Sequence, residues 1–220
     1  AMAIAAQLSW PEIHVRQVGM AALFMDMGML LVPDRIRVGG CKLTDVDRSR
    51  VNRHPTFTLS MLRSVTNLPT IVKLAAYQHQ ERENGSGYPR GLRREQICDY
   101  ARVLAVADTF AAATGPRHYR QLKLPSPAMA DTLRGFTSMS LVKPAARALV
   151  HAAGLFPVGS FVKLSDGRNA HVIAANSVAL DRPAVQPLGP DGEPLGDILE
   201  LAEPDNRSLR VIRPLPGRTG

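Results

Sequence analysis

What the chain lacks narrows its class. Only two of its 220 residues are cysteine, Cys41 and Cys98, with neither the spacing of a metal motif nor the density of a disulfide scaffold. Both are read as reduced thiols, which points to a cytoplasmic protein. No apolar run approaches the roughly 18 residues of a membrane span. The opening AMAIAAQLSW joins no basic segment to a long apolar one, so no secretory leader is expected. Aromatic residues make up 5% of the chain, and there is no stacking platform or recognition-helix motif to suggest nucleic acid as the partner. Internal repeats and low-complexity tracts are lacking as well.

What is present is a globular composition, 45% hydrophobic and 21% charged, in a length suited to one full domain and a small appendage. The net charge of +8 is unevenly spread. Residues 1–156 carry 20 Lys/Arg against 11 Asp/Glu, whereas 157–220 carry 7 against 8. Of the 27 cations 22 are Arg, whose forked donors suit phosphates. An anionic partner and a solubilising surface both account for that excess.

Apolar spacing predicts a buried helix from Glu12 to about Leu31, ended by Pro33. Thr44 with Asp47 three residues on reads as a capping box, and His54-Pro55 opens a further helical run. Pro69 starts another helix over TIVKLAAYQHQ, which leads into the glycine-rich stretch ERENGSGYPRG. Glu95 to Thr114 has the clearest internal face, through Ile97, Ala101, Leu104, Ala105, Ala107 and Phe110. Two more helices are expected near 126–136 and 141–153. Beyond Pro157 the pattern turns to strands, with Asp166-Gly167 as a hairpin signal, a second turn in PDGEP and a last strand in SLRVIRPL. The fold class is therefore mainly α, with a helical domain over 1–156 and a small β-rich extension over 157–220.

Acid and imidazole groups fall at the ends of separate helices: Asp26, His54, His79 and Asp108. Each alone is more often a cap or a packed side chain than a ligand. Their order and surroundings carry more. VGMAALFMDMGMLLVPDRI, CKLTDVDRSRVNRHP, QHQERENGSGYPRGL and ARVLAVADTFAAATGPRHYR together resemble the HD-GYP family of bacterial cyclic di-GMP phosphodiesterases, and FPVGSFVKLSDGR resembles the β-extension often found after such domains.

The resemblance implies an HD-type helical bundle that holds two or three transition metals, generally iron or manganese, for hydrolysis of a cyclic dinucleotide. It also implies an earlier helix, with another Glu and His, that would lie before residue 1. By the same resemblance Arg117, Tyr119 and Arg120 are candidates to bind the nucleotide, with ion pairing to the fold as the alternative for Arg117. The loop residues Gly85, Gly87, Tyr88 and Pro89 are candidates for substrate access and for contact with GGDEF-type diguanylate cyclase domains.

The chain departs from the family where the metals bind. Met25 and Gln80 stand where the family has His, and Met29 where it has Lys. A neutral thioether does not replace imidazole for iron or manganese, nor a methionine the charge of lysine. Asp26, His54 and His79 remain for one site, whereas the neighbouring position retains little beyond Asp26 and Asp108. The expectation is a degenerate module with one weakly held Fe or Mn ion, or none, acting as a cyclic di-GMP receptor or a GGDEF-binding domain. The alternative is an active phosphodiesterase with an atypical metal site.

Overall fold

The computed structural model describes residues 1–37, 43–114, 125–136, 139 and 142–215. Its helical part begins with α1 (Met2–Gln7) and α2 (Glu12–Phe24). Short α3 (Asp34–Arg37) precedes α4 (Asp45–Val51), which starts on the expected capping box: the Asp47 amide donates to Thr44 Oγ1 at 3.2 Å, and the Asp47 carboxylate accepts from the Thr44 amide at 3.3 Å. Then come α5 (His54–Arg63), with Pro55 in its first turn, and α6 (Thr70–Gln78), preceded by Pro69. Finally α7 (Asp99–Thr114), α8 (Pro125–Phe136) and α9 (Lys143–Ala153) complete the bundle.

Two predicted helices are shorter than their apolar periodicity suggests. The run from Glu12 breaks at Met25-Asp26 and continues as a 3-10 turn over Met27–Leu31. Thr58 of α5 causes the break to persist: its hydroxyl donates to the Met25 carbonyl at 2.9 Å and accepts from the Gly28 amide at 2.9 Å. A Cβ on Gly28 would lie 2.0 Å from the His54 carbonyl oxygen, so only glycine allows this crossing. The helix predicted from Glu95 begins at Asp99, because the Gln78 side chain holds the preceding turn. Its amide donates to the Gln96 carbonyl and its oxygen accepts from the Cys98 amide.

The helical core draws on α2, α6, α7, α8 and α9 through Val18 and Ala21, Val72 and Ala75, Leu104 and Val106, Met129, and Leu149. Complete burial of a side chain such as Leu104 is worth about 2 kcal/mol. The C-terminal unit comprises β1 (Phe161–Leu164), β2 (Asn169–Ala174), β3 (Ala184–Leu188), β4 (Leu199–Glu200) and β5 (Val211–Pro214), in one antiparallel sheet ordered β4-β3-β2-β1-β5. Gly167, at φ +90, makes the turn between β1 and β2. Strand alternation turns Val162, Leu164, Ala170, Val172 and Val185 into a second apolar cluster, closed by Leu201. Among the described residues no helix is long and apolar enough to cross a membrane, and Cys98 carries a free thiol. Cys41 lies outside the described residues.

Candidate metal centre

Two buried histidines at helix ends form the base of the site. His54 opens α5 and His79 closes α6, and each is fixed through Nδ1: His54 to the Val51 carbonyl at 2.7 Å, His79 to the Ala76 carbonyl at 2.8 Å. A carbonyl only accepts, so each Nδ1 is the protonated nitrogen and each neutral ring presents Nε2 as an acceptor. The two Nε2 atoms stand 3.3 Å apart. Asp26, set at the break after α2, brings Oδ1 to 3.3 Å from His54 Nε2 and 3.6 Å from His79 Nε2.

Three acceptors converging in this way repel unless a cation lies among them. Imidazole and carboxylate are donors that suit divalent transition metals, so the set fits one such ion. Among the described residues, Asp26, His54 and His79 form the group able to hold such an ion. A metal bound there would supply Lewis acidity toward an oxygen atom that entered the site. The Asp26 side chain is 54% exposed while the histidines are 3% and 0% exposed, so the site opens on its carboxylate side. Partial burial by itself would raise the Asp26 pKa; with the imidazoles protonated and no metal between them, their hydrogen bonds and charge outweigh it and hold the carboxyl well below the usual range, so that protons on the rings take the place of the cation.

Asp108 lies on α7, outside this triad. Gln80 donates its side-chain amide to Asp108 Oδ2 at 3.3 Å, so one oxygen of the carboxylate accepts from an uncharged donor. Met25 turns its thioether side chain against the helical apolar core. Thus three of the four predicted metal residues are gathered, and the fourth is tied to Gln80.

The GSGYP segment folds back over the histidines. The buried Glu81 carboxylate accepts from the Arg90 amide at 2.8 Å and the Leu92 amide at 2.9 Å, closing the loop just after Pro89. Gly87 passes so close to the preceding strand of backbone that a Cβ would sit 2.4 Å from the Arg82 nitrogen. Gly85 has φ +80 and faces the Arg93 side chain. The Tyr88-Pro89 peptide is cis. The Tyr88 ring meets the His54 imidazole edge-on, with centroids 6.0 Å apart. Burial, opposed by Arg82 and reinforced by Asp108 and Asp26, pushes the Tyr88 hydroxyl up to about 12, so at neutral pH it is a protonated donor. Arg82 donates to the carbonyls of His79 and Glu81, at 3.2 and 2.9 Å, so this side chain ties the loop to the end of α6 through backbone contacts.

Arg117, Tyr119 and Arg120 lie outside the described residues. The sequence reading missed Thr58, Glu81 and Gln78, the polar side chains that fix the break after α2, the loop and the start of α7. Thr58 carried a signal, since it shares a face with Pro55 and Leu62, and a buried hydroxyl on an apolar face needs partners.

A family model described as HD domain matches residues 1–135. The chain belongs to the HD domain family. Within it the relatives are of the HD-GYP type that the motifs resemble. It is 35% identical over 196 residues to the cyclic di-GMP phosphodiesterase PA4108 of Pseudomonas aeruginosa, covering 84% of this chain and 44% of that protein. With the cyclic di-GMP phosphodiesterase response regulator RpfG of Xanthomonas campestris it shares 39% identity over 119 residues, covering 54% of this chain and 32% of the other. The chain thus spans less than half the length of these curated relatives. In fold it is similar to Bd1817, an HDG"Y"P protein from Bdellovibrio bacteriovorus, with a TM-score of 0.53 and 17% identity over 67% of this chain and 48% of that one.

Proposed function

We propose that this chain is a cyclic di-GMP-directed module with a single metal ion held by Asp26, His54 and His79, and that it binds the nucleotide while hydrolysing it slowly or not at all. The observation that carries this reading is the Gln80–Asp108 hydrogen bond. It occupies the carboxylate that a neighbouring metal would need, while the adjacent Met25 is turned into the apolar core. A clamp of two metals stabilises both attacking and leaving oxygens of a phosphoryl displacement, and a lone ion gives up half of that stabilisation. The open side of the triad beside Asp26 is where a phosphate would approach. The Tyr88 hydroxyl and the arginines at 117 and 120 are the candidate nucleotide contacts, and the GSGYP loop is the candidate surface for a GGDEF-type partner.

A second reading, an active phosphodiesterase with an atypical site, is favoured by the names of the relatives, which are called cyclic di-GMP phosphodiesterases. The two readings separate in one experiment: metal content of protein purified without chelator, calorimetric binding of cyclic di-GMP, and turnover with iron or manganese. About one metal per chain with binding and negligible turnover supports the receptor. Two metals and sustained turnover overturn it in favour of the enzyme.

A further inference from the structure

Away from the metal centre, an apolar groove of about 620 Å³ runs between α8, α9 and the start of the β-unit. Its floor is Leu133 and Phe136 from α8, with Ala146 and Val150 from α9, and Leu155 and Leu180 close its end. Leu155 is joined to Leu180 by a backbone hydrogen bond at 3.3 Å, so the end wall belongs to the β-unit junction. Along one edge of the groove stand Lys143, Arg147 and His151. They follow at four-residue steps on α9 and so form a row about 12 Å long. All three are exposed, and no hydrogen bond or ion pair joins the side chain of any of them to a described residue. The groove lining contains no Asp or Glu.

We propose that this groove docks an acidic amphipathic helix of a partner protein. Apolar side chains of such a helix at i, i+3 and i+4 would fill the floor, and carboxylates at i, i+4 and i+8 would face the cationic row. Charge decides the occupant. Residues 1–156 carry 20 Lys/Arg against 11 Asp/Glu, so a second copy of this helical domain would bring like charge to the row. A neutral helix would leave the Lys143 and Arg147 cations without partners.

The test uses the full chain and a fluorescein-labelled helical peptide of about fifteen residues, with Leu on one face and Glu at three positions spaced by four. A matched peptide with Lys in place of Glu serves as control. Fluorescence anisotropy is expected to give saturable binding of the Glu peptide that weakens about tenfold in the Lys143→Glu/Arg147→Glu double variant and is much stronger than that of the Lys peptide. Both substituted side chains are exposed, and a matching circular dichroism melt verifies the fold. A Val150→Asp variant, which alters the floor and leaves Lys143 and Arg147 in place, is expected to abolish binding too. Equal affinity for the two peptides, or full affinity in the charge-reversed variant, overturns the proposal. So does sedimentation that reveals self-association through this face, or displacement-free binding of oleate with no binding of the Glu peptide.

Discussion

His54 and His79 illustrate how backbone carbonyls decide what a buried side chain is for. With both Nδ1 protons committed to Val51 and Ala76, the neutral rings face each other with two acceptors across the 3.3 Å between their Nε2 atoms. A histidine pair in a metal-free polar cluster would instead arrange one donor against one acceptor. His79→Ala is therefore expected to abolish retained metal, measured by elemental analysis of purified protein. Asp26→Asn, which keeps an oxygen donor but removes charge, is expected to weaken affinity about 10–100-fold. At the neighbouring position, Gln80→His together with Met25→His is expected to raise metal content from one toward two per chain, because it frees Asp108 and restores two imidazoles. Unchanged stoichiometry in that pair would mean that the hydrogen bond to Gln80 is not what limits the site.

At the scale of elements, short polar links set what the helices present. The GSGYP loop hangs on Glu81, whose two carboxylate oxygens hold amides nine and eleven residues away. Glu81→Ala leaves the Leu92 and Arg90 amides without acceptors, and a loss of about 3 kcal/mol is expected in urea unfolding, with faster hydrogen exchange across 85–92. Thr58→Val removes both bonds that fix the break at Met25-Asp26. Weaker metal retention without loss of His54 or His79 is the expected result.

These links also explain what the sequence made legible. Capping at Thr44, prolines 55 and 69, and the Asp166-Gly167 turn act within a few residues, so their elements were readable. The resemblance of the motifs implied the HD bundle and three residues that the structure gathers. The helix break after Phe24, the late start of α7 and the pairing of Asp108 with Gln80 depend on contacts 18 to 33 residues apart, which periodicity does not register.

Among the described residues the two larger apolar clusters of the molecule are separate, one among the helices and one inside the sheet. The metal triad lies wholly among the helices. Metal binding stabilises only the state that contains the site, by about 2.7 kcal/mol when free ion is a hundredfold above its dissociation constant. Trp10, the single tryptophan, packs on Tyr100 within the helical cluster with ring centroids 5.0 Å apart, so its fluorescence follows that unit. Amide exchange at Val172 and Val185, fully buried in the sheet, follows the other. Added manganese is expected to raise the Trp10 melting transition while leaving exchange at Val172 and Val185 unchanged, and His54→Ala is expected to remove the shift. Leu201→Ala should do the reverse: as a buried Leu→Ala change it costs about 2–5 kcal/mol, speeds exchange in the sheet, and leaves both the Trp10 transition and the retained metal as they were. If manganese instead slows exchange in both units together, the two clusters unfold as one body, and the β-unit supports the metal site in spite of its distance in sequence from every ligand.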